Sequence, residues 1–81
     1  MKIVYYPNFK KALKKFSLSV RNKFEKQIAY LVKDIRHPSL HAKKYDESLD
    51  LWQARIDKNV RFYFIIENDV YVLVDIKYHP K

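Results

Sequence analysis

The chain has 81 residues, 48% of them hydrophobic and 16% aromatic, which is room for one domain over residues 1–81 with a modest core, and too apolar for a disordered tail. It contains no Cys and no Gly, which excludes disulfides, Cys-containing zinc sites and the usual glycine-dependent nucleotide loops and nucleophile elbows; no cofactor is expected. Seventeen Lys and Arg against nine Asp and Glu give a net charge of +8, suited to phosphate backbones, anionic membranes or an acidic protein partner. The excess is uneven, because residues 1 to 45 hold twelve basic and two acidic residues. Much of it has a plain alternative reading as solvated helix surface.

Residues 2 to 6 read as a short strand ended by Pro7-Asn8. Neither an N-terminal apolar run nor a membrane-length stretch is present, so a cytoplasmic location with no membrane partner is expected. Phe9, Ala12, Leu13 and Phe16 then recur at the spacing of one helical face. Ser17 and Ser19 are candidate N-caps for a second helix carrying Val20, Phe24, Ile28, Leu31 and Ile35, which should stop near Arg36 because Pro38 follows.

Residues 37 to 48 read as a polar connection. His37 and His41 have metal-pair spacing, but Pro38 lies between them and no carboxylate completes a site, so no metal is expected. Three alternating strands follow. Trp52, Ala54 and Ile56, then Val60, Phe62, Phe64 and Ile66, then Val70, Val72, Val74 and Ile76 form the expected core face. The opposite face should carry Gln53, Arg55, Arg61, Tyr63, Lys77 and His79 toward one end. Ile65, Tyr71 and Leu73 should form an apolar patch toward the other, suited to docking a helix of a protein partner or a second copy of the chain. Parity favours three-residue loops at Asp57–Asn59 and Glu67–Asp69, placing Arg55 opposite Arg61 and Arg61 opposite Asp75. A five-residue second loop would instead place Arg61 opposite Lys77.

The expected architecture is α+β, in the order β-α-α-β-β-β: a helical hairpin packed on one face of a small, mainly antiparallel sheet, the other face partly open. This order, with the strands Leu51–Ile56 and Val60–Phe64 and the closing Asp75-Ile76-Lys77-Tyr78-His79, resembles the RelE/ParE toxin superfamily over nearly the whole chain. The resemblance implies the toxin of a type II toxin–antitoxin system that cleaves messenger RNA, on the ribosome or free, and is silenced by an acidic antitoxin. A homodimer or a toxin–antitoxin heterotetramer is the implied assembly. Two alternatives within the fold are a ParE-like inhibitor of DNA gyrase and a catalytically inactive basic RNA-binding module.

By the same resemblance, Arg61 matches the arginine that holds the scissile phosphate and His79 the general acid. Arg55, Lys43 and Lys44 fall at basic positions near the site. The carboxylate base of some members corresponds here to Ala42. Metal-free RNA cleavage needs a base for the 2′-hydroxyl, a cation for the phosphate and an acid for the leaving oxygen, and Arg and His suit the last two tasks. Lys44, if its pKa were depressed, could replace the base. Lys43, Lys44, Arg55 and Lys77 are candidate RNA contacts, and Tyr63 and Tyr78 candidate base-stacking platforms. Competing readings are a cross-strand salt bridge from Arg61 to Asp75, sheet packing for Tyr63, solvation for Arg55 and the lysines, and a frayed terminus for His79.

Overall fold

The computed structural model describes residues 2–79. In chain order it contains β1 (Lys2–Tyr5), α1 (Pro7–Lys14), α2 (Leu18–Lys33), a 3₁₀ turn (Pro38–Leu40), β2 (Lys43–Asp46), β3 (Leu51–Asp57), β4 (Val60–Glu67) and β5 (Val70–Tyr78). The strands form one sheet in the order β1-β5-β4-β3-β2, antiparallel except for the β1–β5 pair. The α+β class and the helical layer agree with the sequence reading. Strand β2 is an addition, within the segment read as a polar connection. Its sequence, Lys-Lys-Tyr-Asp, lacks the apolar alternation that marks a strand, because an edge strand with charged residues has little to bury.

Pro7 occupies the first turn of α1, where a missing N–H costs nothing. Ser17 caps α2, its hydroxyl accepting from the Val20 N–H at 3.2 Å. Helix α2 ends at Lys33, earlier than Pro38 requires: Asp34 is extended and its carboxylate accepts the Arg36 N–H at 2.9 Å. The helices set Phe9, Phe24 and Leu31 against Phe62, Phe64 and Leu73 of the sheet, all fully buried. Phe24 meets Phe62 edge to face at 5.6 Å, and each such side chain adds about 1.5–3 kcal/mol by leaving water.

Both hairpins close with two residues rather than three, and each is offset by a bulge. Asp57 pairs with Val60 across Lys58-Asn59, and a register shift between Arg55 and Asp57 restores the expected pairing of Arg55 with Arg61. In the second hairpin Glu67 pairs with Val70. Asn68 and Asp69 both have positive φ, 50° and 62°, the signature of a tight hairpin turn built without glycine. A shift between Tyr63 and Phe64 then leaves Val74 as the extra residue of β5.

The Val74 bulge reverses the faces of the first half of β5. Tyr71 and Leu73, read as outward, are buried in the core, while Val70 and Val72 turn to the other face. The apolar patch is therefore corrected: Ile65 remains on the open face, joined there by Val72 and Val4, which pair across β4, β5 and β1. The two-residue turn and the bulge each shift the register by one, and together they set Arg61 opposite Lys77, with Tyr63 opposite Asp75. The Arg61–Asp75 pairing is thus replaced by the Arg61–Lys77 alternative.

Packing on a bulged rather than regular β5 predicts that Leu73→Ala costs about 3 kcal/mol in urea unfolding and Val72→Ala about 1 kcal/mol or less. The reverse order would reinstate simple alternation.

Candidate functional site

Strand pairing places three cations in a row on the open face. Arg55 on β3 lies directly opposite Arg61 on β4, and Arg61 directly opposite Lys77 on β5. Like charges in such positions repel. Among the described residues neither arginine has a salt bridge, whereas Lys77 lies 3.7 Å from the Asp75 carboxylate, which also accepts the Ile76 N–H. Arg61 is buried to 9% exposure and donates through Nη1 to the carbonyls of Asp57 and Val60. Burial, and next the neighbouring Arg55 charge, push the Arg61 guanidinium below its ordinary range, although Tyr63 and Asp57 act against this. The Arg55 Nε is itself buried without a hydrogen-bond partner among the described residues. Unpaired positive charge at such positions is an electrostatic demand for an anion.

A cleft of about 320 Å³ opens at this row. Gln53, Arg55 and Arg61 form its floor, and His79, just past β5, closes one side. The His79 N–H donates to the Asn59 carbonyl at 2.7 Å, so the residue's backbone is tied to the β3–β4 turn. His41, Ala42 and Lys43 form the opposite wall, with Lys43 paired to Gln53 across the β2–β3 edge. The structure thus brings together Arg55, Arg61, His79 and Lys43 of the candidates read from sequence. Ala42 lies where the resemblance sets a carboxylate, and it supplies no proton-accepting group.

The other candidates lie elsewhere. Lys44 pairs with Trp52, on the face turned away from the cleft, with its ammonium on Asp50 and near Glu47 and the Trp52 ring. Its hydrogen bond to Asp50 raises its pKa, which overturns a role as a base with depressed pKa. Tyr78 pairs with core-facing Val60 and packs on Phe16 at 4.9 Å, on the opposite side of β5 from Lys77, so it is no platform in the cleft. Tyr63 is on the open face but covered: Tyr45 meets it edge-on at 5.0 Å, the Lys77 ammonium lies 5.1 Å from its ring, and Gln53 donates to its hydroxyl at 3.1 Å. It holds the floor in place, and Tyr45, 54% exposed, leaves its ring open beside it.

Sequence reasoning missed two features. Buried Gln27 of α2 donates to the carbonyls of Ser39, at 3.0 Å, and Arg55, at 2.8 Å, and accepts from the Ser39 hydroxyl at 3.1 Å. It pins the 3₁₀ turn to the strand carrying Arg55. His41, weighed only as a metal ligand, lies in the cleft, whereas His37 stacks on Tyr30 at 3.8 Å and bonds to Ser39.

An anion demand of this kind predicts that inorganic phosphate raises the melting temperature. At ten times its dissociation constant the gain is about 1.4 kcal/mol. Arg61→Met should abolish that gain while being no less stable than wild type in phosphate-free buffer, since a neutral chain replaces an unpaired buried charge. An equal phosphate shift in both proteins would contradict the site.

No family model matches the chain, and no curated protein matches it in sequence. Solved structures do match. A YoeB/ParE toxin from Agrobacterium tumefaciens is 13% identical with a TM-score of 0.81, the match covering 99% of this chain and 100% of that one. The YoeB dimer from Staphylococcus aureus gives 15% and 0.81, covering 99% and 98%. The archaeal RelE–RelB complex from Pyrococcus horikoshii gives 16% and 0.80, covering 95% and 92%. Such low identity speaks for architecture, and at that level the sequence expectation holds: the chain has the fold of the RelE/ParE toxins.

Proposed function

We propose that this protein is a toxin that cleaves messenger RNA, in a scheme that draws its charge from side chains rather than a metal. The carrying observation is that Arg55, Arg61 and His79 line one cleft on the open face. Arg61, with Arg55 beside it, holds the scissile phosphate and stabilises the charge that grows on it as the 2′-oxygen attacks. His79 protonates the departing 5′-oxygen. Lys43 and Lys77 flank the phosphate path, and Tyr45 is the side chain available for stacking on an unpaired base.

An acidic antitoxin is the expected partner. The net charge of +8 favours such a protein. Matched structures include a heterotetrameric YoeB–YefM toxin–antitoxin complex from Staphylococcus aureus and a RelB–RelE complex from Methanococcus jannaschii. A partner that covers the cationic row would both satisfy it and exclude RNA.

End-mapping of RNA after induction in cells, and with purified protein with and without ribosomes, tests the reading. Cleavage should leave 2′,3′-cyclic phosphate and 5′-hydroxyl ends. Arg61→Ala and His79→Gln should each lower the rate about 10²- to 10⁴-fold and relieve growth arrest, with antitoxin binding retained. Full toxicity in both variants would refute the proposal, as would intact messages accompanied by accumulating DNA breaks, the outcome expected of a gyrase inhibitor.

A further inference from the structure

The scheme above leaves the 2′-hydroxyl proton without an acceptor, since Ala42 has none to offer and Lys44 faces away. Among the described residues lining the cleft no carboxylate occurs, and Lys43, Arg55 and Arg61 are cations. Of the described side chains there, His79 and His41 carry imidazoles, which can accept or give up a proton. We propose that His41 is the general base of this site, accepting the 2′-hydroxyl proton of the RNA while His79 serves as the acid. The inference rests on the nuclease reading.

The placement of His41 is built rather than incidental. It follows the Pro38–Leu40 turn in the left-handed region, φ 47° and ψ 41°, a conformation in which His is enriched among non-glycine residues. That turn is held from beneath by fully buried Leu40 and by the Gln27 bonds to Ser39. The same Gln27 amide also binds the Arg55 carbonyl, so one buried side chain fixes the turn that leads into His41 relative to the phosphate-holding strand. His37, four residues earlier, is occupied in stacking and hydrogen bonding. His41 is exposed and makes no hydrogen bond or ion pair among the described residues, as a group awaiting substrate should be.

The step balances. The O2′ proton moves to His41, O2′ bonds to phosphorus, the P–O5′ bond breaks, and the leaving oxygen takes the proton carried by His79. Two histidines in opposite roles give a bell-shaped rate profile, with the acidic limb belonging to the base. The charged groups around His41 are Lys43 of β2, Arg55 of β3, Arg61 of β4 and His79 beyond β5. On its other side a second groove adds Lys23 and Lys26 of α2 with Tyr30, and Asp57 and Lys58 at the end of β3.

A leaving-group substitution separates base from acid. RNA carrying sulfur in place of the bridging 5′-oxygen at the mapped cleavage site needs no proton on departure. With ordinary RNA, His41→Asn, which keeps a residue tolerant of positive φ, should lower kcat about 10²-fold or more with KM little changed, and should remove the acidic limb. With the sulfur-bridged RNA, His79→Gln should recover to within tenfold of wild type and His41→Asn should stay slow. A His41→Asn rate within threefold of wild type, or its recovery on the sulfur substrate, overturns the inference alone. Absence of cleavage by wild type overturns the nuclease reading and this inference with it. Retained thermal stabilisation of His41→Asn by phosphate establishes that fold and anion site are intact when its rate is read.

Discussion

The row of cations across β3, β4 and β5, whose two arginines have no salt bridge among the described residues, is the feature on which the functional architecture depends. Placing Arg55, Arg61 and Lys77 side by side, with the middle one nearly buried, works against folding unless something else holds the sheet. That support comes from the other face, where the aromatic layer of Phe24, Phe62 and Phe64 is fully buried. The backbone carbonyls of Asp57 and Val60 accept two hydrogen bonds from Arg61 without neutralising it. The charge is thereby kept fixed and available, the condition for stabilising a phosphate without reorganisation.

The Val74 bulge makes this row possible. A three-residue turn with no bulge would set Arg61 opposite Asp75, and an ion pair would satisfy the guanidinium inside the protein; the two-residue turn alone would set it opposite Ile76. With the extra residue added to that turn, Asp75 lies opposite Tyr63 and Lys77 opposite Arg61. The same bulge sends Tyr71 and Leu73 into the core. One backbone irregularity therefore fills the hydrophobic layer at one end of the sheet and sets the charge pattern at the other.

Much of this was legible in the sequence, and the exceptions have physical reasons. Apolar periodicity marked both helices, and alternation marked the last three strands, because each buries one face. The Arg55–Arg61 pairing followed from parity alone. Parity failed at Val74, since β-branched residues occupy both faces of a bulged strand and leave no mark of the slip. Lys43 and Lys44 are chemically alike but point to opposite sides of an edge strand that sequence did not reveal, so only Lys43 reaches the cleft. Tyr78 was misplaced because Val60, its partner, faces the core. His41 was overlooked because its position depends on a buried Gln27 far from it in sequence, which no local pattern signals.

The role proposed for this row is to hold a phosphate of a nucleic-acid strand. Nitrogen-15 NMR of the arginine Nε–H groups, titrated with a 2′-deoxy oligonucleotide that cannot be cleaved by 2′-oxygen attack, reads it directly. Saturable shifts in the Arg55 and Arg61 signals are expected. Changes confined to the lysines of α1 and α2, with both arginine signals unmoved, would contradict it.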